Sequence, residues 1–407
     1  MLRLYSVGII IYGAILRVSS FFVPKAKLLV EGRSRTFNNI QSTLRKHNSA
    51  EWIWIHASSL GEFEQGRYLI EQLKSLYPKY KIALSFYSPS GYIPMQHYDK
   101  VDIVFYMPLD TYNNGLHLVN ALSPKLAIFI KYDFWWNHLK VLQEQNIPTV
   151  FVSAMIRSDQ YFIKRSLGEI RSILKGVSHY YVQTEESKTI LNSIGIHQTT
   201  ISGDSRLDSI LNETQSDFPV FEEISNWTKG RKCIIYGSIH ASDLSIIQAM
   251  FDIDACHLIV PHDVDDNNCE VIRSAIKSVA IYTESGMGHD DIVILNKTGL
   301  LRSIYRFADL VYIGGGFGAG IHNTLEPLVH LKPILIGPRY DKFPEAVELT
   351  QKQVITSIST PDQAITLAKS ILDENDAQRL QKQQEYIENN SGATQIICRS
   401  IEENQWI

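Results

Sequence analysis

Along this chain, short runs of apolar, often β-branched residues alternate with longer amphipathic stretches, and that alternation confines it to one kind of fold. The runs Trp52–His56, Lys81–Phe86, Val101–Phe105, Leu126–Ile130, Thr149–Val152 and His179–Val182 read as strands, with helices such as Leu60–Leu76 and Phe134–Gln145 between them. Strands alternating with helices argue a parallel, doubly wound sheet. The polar, turn-rich stretch Ser205–Trp227 interrupts the rhythm. It then restarts with strands Cys233–Tyr236, His257–Val260, Asp291–Leu295, Leu310–Ile313 and Ile334–Ile336, and with helices over Asp243–Phe251, Leu300–Phe307 and Pro361–Leu372. The 407 residues suffice for two α/β domains of ordinary size. We expect an N-terminal segment 1–24, a first domain over 25–210, a second over 211–375, and a C-terminal helix over 376–407 that packs back on the domains.

The stretch Ala308–Ala346 carries the densest functional signal. A buried strand, Leu310–Ile313, runs into a loop holding Gly314, Gly315, Gly316, Gly318 and Gly320, followed by His322, Asn323, Glu326 and Pro327 at a helix start. Glycines let a backbone approach a ligand and offer its N–H groups, and a helix N-terminus suits a phosphate. Glu326 suits the hydroxyls of a ribose. A plain tight connection, with Asn323 and Glu326 as a capping pair, is the competing reading. The loop fits neither the dinucleotide fingerprint nor a P-loop, since no lysine follows it.

In the first domain, His56–Phe63 (HASSLGEF) follows a strand and opens a helix. Glu62 there is either a general base at a strand end or half of a capping box with Ser58 or Ser59. Lys131 and Asp133, in IKYDFWWN, end another strand, either as an anion site or as a surface pair. In the second domain Ser238 and His240 (YGSIH) and His262 (VPH) follow strands, as His322 does. No spacing resembles a zinc motif, so no metal is expected.

Leu4–Val23 is a nearly continuous apolar run interrupted by Arg17, about the length that crosses a bilayer. Over Lys25–Lys46 the basic residues Lys25, Lys27, Arg33, Arg35, Arg45 and Lys46 face Glu31 alone, which favours a cytoplasmic position for that side. A spanning anchor, an interfacial helix and a buried core helix are the readings, and a signal peptide competes with them without a clean A-x-A-like site to follow it. Net charge is −4, against a nucleic-acid partner, and the four cysteines form no framework.

HASSLGEF, GDSRLD at Gly203–Asp208, YGSIH, and GGGFGAGIHNTLEP with KPILIGP resemble the 3-deoxy-D-manno-octulosonic acid (Kdo) transferases of lipopolysaccharide synthesis, glycosyltransferase family 30. The resemblance runs over nearly the whole chain. It implies a GT-B fold of two Rossmann-like domains facing a cleft, with an N-terminal membrane-anchoring helix. It also implies an inverting enzyme that takes Kdo from CMP-Kdo to the lipid A precursor lipid IVA, at the cytoplasmic face of the inner membrane. No resident cofactor is implied. Glu62 matches the family's catalytic base. Gly315, Gly316, His322, Asn323 and Glu326 match its CMP-binding loop, and Ser238 and His240 a second donor motif.

Two departures stand out. Lys131-Tyr132-Asp133 replaces the family's Glu-Thr-Glu, and Pro261-His262-Asp263 lacks the arginine of its Pro-Arg-His. Lys131, His262 and Arg339 are the candidate substitutes for positive charge, and Arg33 and Arg35 candidate contacts to a phosphorylated acceptor. Another two-domain enzyme acting on a UDP-sugar, or a non-catalytic membrane-anchored protein that binds sugar nucleotides, remains the alternative.

Overall fold

The computed structural model describes residues 2–47, 50–131, 133–164, 168–213, 220–276, 279–282, 286–288, 290–374 and 376–407. Two units divide the chain, one formed by residues 2–209 with 390–407, the other by 210–389.

The first unit holds a sheet of seven parallel strands: β1 (Glu51–Ala57), β2 (Tyr80–Phe86), β3 (Ile103–Tyr106), β4 (Pro124–Ile130), β5 (Thr149–Ala154), β6 (His179–Val182) and β7 (Thr199–Ile201). Their order is β3-β2-β1-β4-β5-β6-β7. Strand periodicity sorts their side chains onto two faces. Trp52, Trp54, Ala127, Phe129 and Phe151 enter one apolar cluster, while Ile53, Ile55, Leu126, Ile128 and Ile130 enter the other. Both faces are buried, as a doubly wound sheet requires. The order reverses between β1 and β4, which opens a crevice beyond their carboxyl ends.

The second unit repeats the plan with β8 (Cys233–Ile239), β9 (Cys256–Pro261), β10 (Ala280–Ile281), β11 (Ile292–Ile294), β12 (Leu310–Ile313), β13 (Ile334–Ile336) and β14 (Thr356–Ser357). Among the described residues its order is β10-β11-β9-β8-β12-β13-β14, all parallel, and the switch lies between β8 and β12.

The central strands fall where the alternation predicts them. The edge strands β7, β10 and β14 were not expected, being two or three residues long. The C-terminal segment departs from the single helix expected over 376–407. It is two helices, Ala377–Asn390 and Ala393–Glu403, parted at Gly392, whose φ of +87° favours a residue without a side chain. The earlier helix falls almost wholly in the second unit. The later one belongs to the first, where Ile397 and Ile401 join the core and the N–H groups of Gly392 and Thr394 donate to Asp208.

The N-terminus forms α1 (Leu2–Ser19) and α2 (Pro24–Lys46). By length and composition α1 is apolar enough to cross a membrane. Its inward face, however, is bonded to the first unit along most of its length. Tyr5 Oη donates to Asp110 at 2.7 Å, Ser6 Oγ to Asn137 Oδ1 at 3.1 Å, and Tyr87 Oη to Tyr12 Oη at 2.7 Å. Gly13 is buried where a Cβ would come within 2.6 Å of Leu109. Leu4, Val7, Ile10, Ile11, Ile15 and Val18 are exposed, followed by Phe21 and Phe22 at 83% and 82% exposure. The helix thus turns Tyr5 and Ser6 inward and most of its apolar side chains outward, with Arg3 and Arg17 exposed among them.

Candidate active site

β1 leads through Ser58 and Ser59 into α3 (Leu60–Leu76), the helix expected from the sequence. Ser59 is the N-cap without a side-chain cap bond, and Glu62, in the first turn, reaches back so that Oε2 accepts the Ser58 N–H at 2.6 Å. The carboxyl thus meets the backbone of the turn, with the Ser58 and Ser59 N–H groups both acting on it, while the Ser59 hydroxyl makes no cap bond. Yet Glu62 is only 8% exposed, and burial pushes its carboxyl up to about 7. The Asp133 carboxyl adds to that rise, while the Ser58 N–H and Lys131 oppose it. Asp133 is itself raised, chiefly by burial, with Ser58 and Lys131 opposing. The turn after β4 thus brings Lys131 and Asp133 to Glu62, at the switch point of the first sheet. Lys131 takes a φ of +71°, a conformation costly for a residue with a side chain and characteristic of functional turns. Tyr132 lies outside the described residues.

Beside this acidic pair sits an aromatic wall. Trp135 stacks on Tyr87 with centroids 4.7 Å apart, and the Arg33 guanidinium lies 4.4 Å over the other residue of that stack, Tyr87. The Arg33 Nε–H donates to the Met107 carbonyl at 3.1 Å. Arg33 therefore points inward from α2. Arg35 does not, being exposed on the same helix. Tyr87 went unnoticed in the sequence because its partners lie far along the chain.

In the second unit, β8, β9 and β12 bring together residues that the sequence spreads over 85 positions, from Ser238 to His322. The register of β8 against β9 slips between Gly237 and Ile239, and Ser238 in that bulge has a φ of +55°. His240 follows directly. His262 follows β9, and its N–H donates to the Ile239 carbonyl at 3.0 Å. His322 ends the glycine loop. The rings lie close, with centroids 4.7 Å apart for His240 and His262, 5.0 Å for His240 and His322, and 4.2 Å for His262 and His322. Burial, then the neighbouring His262 and His240, lowers His322 to about 4, so its ring is neutral at pH 7.

The glycine loop differs from the open cradle expected of it. Gly314 N donates to Gly237 O, Gly315 N to Asp243 Oδ2, and Gly318 N and Gly320 N both to Gly315 O. Four of the five glycine N–H groups are therefore engaged within the protein. The absent side chains serve packing first: a Cβ on Gly316 would sit 2.6 Å from Gly337 Cα, and Gly315 has a φ of +88°. Arg339 closes the turn, its backbone N–H donating to Gly316 O at 3.0 Å and Nη1 to Gly318 O at 2.7 Å. The helix beyond, Leu325–Val329, is five residues long and contributes less dipole than a long helix would. Asn323 Oδ1 accepts the Leu325 N–H at 3.0 Å while its Nδ2 donates to Glu326 Oε1 at 3.1 Å, and Arg302 pairs with that same oxygen at 3.5 Å. Asn323, one residue before the N-cap Thr324, and Glu326 are thus bonded to each other across the helix start, with the Glu326 carboxylate held in place.

The residue that organises this site, Asp243, escaped the sequence reading. It is fully buried, Oδ2 accepting the N–H groups of His240 at 3.0 Å and Gly315 at 2.9 Å, and Oδ1 accepting from Tyr312 Oη at 2.9 Å. One carboxylate fixes the β8 turn to the glycine loop.

Residues 32–209 match the family described as 3-deoxy-D-manno-octulosonic-acid transferase. The 3-deoxy-D-manno-octulosonic acid transferase of Rickettsia bellii is 24% identical over 351 residues, covering 82% of each chain, and that of Chlamydia muridarum is 24% identical over 357 residues, covering 83% of this chain and 80% of its own. A bifunctional glycosyltransferase/methyltransferase of Fusobacterium nucleatum is 25% identical over 378 residues, 88% of this chain but only 57% of its own length. Among solved structures, UDP-GlcNAc 2-epimerase from Neisseria meningitidis superposes with a TM-score of 0.62 at 12% identity, covering 86% of this chain and 100% of its own. A putative UDP-N-acetylglucosamine 2-epimerase from Listeria monocytogenes gives 0.59 at 14%, covering 88% and 97%. At such identity these two speak to the fold alone, that of two Rossmann-like parallel-sheet domains. Residues 32–209 thus match the 3-deoxy-D-manno-octulosonic acid transferase family, and over more than four-fifths of its length the chain is similar to enzymes of that name.

Proposed function

We propose that this chain is a membrane-associated inverting glycosyltransferase that moves Kdo from CMP-Kdo to the lipid A precursor lipid IVA. The observation that carries the reading is Glu62. It stands in the family's HASSLGEF segment, at the switch point of the first sheet, with its carboxyl raised to about 7. A base so poised accepts a proton near neutral pH. In this scheme Glu62 takes the proton from a sugar hydroxyl of the acceptor, the freed oxygen bonds to the anomeric carbon of Kdo, and the bond from that carbon to the CMP phosphate oxygen breaks.

CMP is assigned to the second unit, around Ser238, His240, His262 and His322 and the loop of Gly314, Gly315, Gly316 and Gly318. The engaged glycine N–H groups shift the burden of meeting the phosphate to the imidazole N–H groups and to Arg339. Glu326, with Asn323 beside it, is left for the ribose. The leaving group is a monophosphate, and donors preorganised around it stabilise its growing charge, so the scheme draws on no metal or other cofactor.

The acceptor is assigned to the first unit. Arg33, set over Tyr87, and Lys131 suit its phosphates, with the exposed Arg35 further out. The exposed apolar face of α1 with Phe21 and Phe22 suits a lipid surface. Because its other face is bonded to the first unit, α1 lies in the plane of the membrane in this reading and does not span it. The inner membrane, at its cytoplasmic face, is the corresponding location.

Incubation of the full-length protein with CMP-Kdo and lipid IVA, read by mass spectrometry of the lipid, tests the proposal. A Kdo adduct that requires CMP-Kdo is expected. No adduct, in protein that binds CMP, overturns the catalytic reading, and protection against proteolysis by UDP but not CMP overturns the donor.

A further inference from the structure

The three imidazoles of the second unit converge more tightly than the recognition of a sugar nucleotide demands. The nitrogens that His240, His262 and His322 offer all lie within 4.8 Å of one another. His240 Nε2 and His322 Nε2 stand 2.7 Å apart. A tetrahedral zinc with bonds of ~2.0–2.1 Å sets its ligand nitrogens about 3.3 Å apart, inside that range. Small rotations of the rings bring the three to it. Their backbone is already anchored, His240 N on Asp243 Oδ2 and His262 N on the Ile239 carbonyl.

The chemistry of the donor set points the same way. Neutral imidazole suits zinc, copper and nickel better than magnesium or calcium. Among the described residues, the Asp263 carboxylate acts on His322, and it favours a cation. Two half-buried ligands and an exposed third, His262, leave positions open to water or a further ligand, as in three-histidine sites that bind more than protein.

We propose that His240, His262 and His322 form a binding site for one divalent transition-metal ion of the zinc class, and that this ion and the sugar nucleotide exclude one another. The site stands on the geometry alone; the exclusion rests on the donor assignment above. Metal in this seat would take the imidazole nitrogens that the phosphate needs, and so make transfer sensitive to free transition metal while requiring none.

The test is a titration of chelator-treated full-length protein with zinc chloride against a chromophoric zinc indicator. One zinc per chain is expected, with affinity reduced roughly tenfold or more in His262→Ala and in His322→Gln. The first removes an exposed side chain, and the second keeps size and polarity, so circular dichroism should report both as folded. Absence of stoichiometric zinc, or affinity unchanged in both folded variants, overturns the site. With saturating CMP the zinc affinity should fall by a similar factor. Equal zinc affinity with and without CMP, in protein that binds CMP when metal-free, overturns the exclusion and leaves the site standing. Metal-free protein that binds no CMP overturns the donor assignment and leaves the zinc result untouched.

Discussion

Trp135 donates its indole N–H to Nε2 of His56 at 2.8 Å. The bond makes Nε2 an acceptor, so the proton of the neutral ring sits on Nδ1, 2.9 Å from Ser85 Oγ. Burial lowers this imidazole to about 3. A histidine at the end of β1, two residues before Ser58, is therefore an uncharged strut and no acid or base at neutral pH. In the proposed scheme, proton transfer beside Ser58 is left to the carboxyls of Glu62 and Asp133, with Lys131 beside them.

Glu62→Gln separates catalysis from stability. Transfer should fall by about 10²–10⁴-fold, the usual worth of a general base. In the unmodified enzyme kcat/KM should rise with pH through about 7, the value to which burial pushes this carboxyl. Stability moves the other way. A carboxyl raised above its unfolded value of 4.5 contributes stability that is present below pH 4.5 and is lost as pH rises through 7. Glutamine keeps an oxygen for the Ser58 N–H and carries no charge. The variant should therefore melt higher than the parent at pH 8 and level with it at pH 4, as differential scanning calorimetry would read. Equal melting at pH 8 would mean that Glu62 is not desolvated.

Asp133→Asn should move the acidic limb of the pH profile to lower pH. It removes the like charge that helps to raise Glu62. Lys131→Met should move the limb to higher pH, because Lys131 favours the ionised form of both carboxyls. Opposite displacements in the two variants distinguish electrostatic control of Glu62 from a general loss of structure, which would lower the rate without moving the limb. This pair occupies the place where the chain departs from the Glu-Thr-Glu that the resemblance implies, with Lys131 in place of the first glutamate.

Asp243→Asn should cost about 1–3 kcal/mol of stability and weaken CMP binding. The carboxylate accepts three hydrogen bonds in a site without solvent, and an amide turns one acceptor oxygen into a donor facing an N–H or O–H. Thermal denaturation reads the first effect and a CMP titration the second. Because the same oxygen holds His240 and Gly315, the loss in affinity should appear even at temperatures where the variant is fully folded.

Asp243 also marks where the sequence stops being informative. The strand–helix alternation was legible because each central strand is apolar on both faces, and Leu60–Leu76 was legible from its cap and its periodicity. Glu62 stood out at a strand end. An aspartate three residues after His240 reads as the ordinary first residue of the helix expected over Asp243–Phe251, since its partner Gly315 lies 72 positions away. The glycine loop misled for a related reason. A sequence displays the missing side chains, but the direction of each N–H depends on the turn, and here the turn bonds to itself and to Asp243. The break at Gly392 escaped the expectation of one helix over 376–407, although a glycine inside a helical pattern is its signal. What it divides, a helix of the second unit from one of the first, depends on long-range packing such as the bonds from Gly392 and Thr394 to Asp208.

The lie of α1 yields the last prediction. A spanning helix would leave Arg3 and Lys25 on opposite sides of the bilayer, whereas a helix lying in the interface leaves both on one side. The bonds of Tyr5, Ser6 and Tyr12 to the first unit favour the second arrangement, since spanning would break all three and strand the buried Asp110 without Tyr5. Single cysteines introduced by Arg3→Cys and Lys25→Cys should therefore react equally with an impermeant maleimide in sealed inverted membrane vesicles, the four native cysteines being buried. Labelling at position 25 alone would show that α1 crosses the bilayer. Phe21→Ser with Phe22→Ser should release a larger fraction of the protein from liposomes in flotation, since these two rings offer the largest exposed apolar surface at the end of the helix. Tyr5→Phe, which removes the bond to Asp110 and retains the apolar face, should leave flotation unchanged while lowering the melting temperature, because the membrane reads the outer face of α1 and the protein reads the inner one.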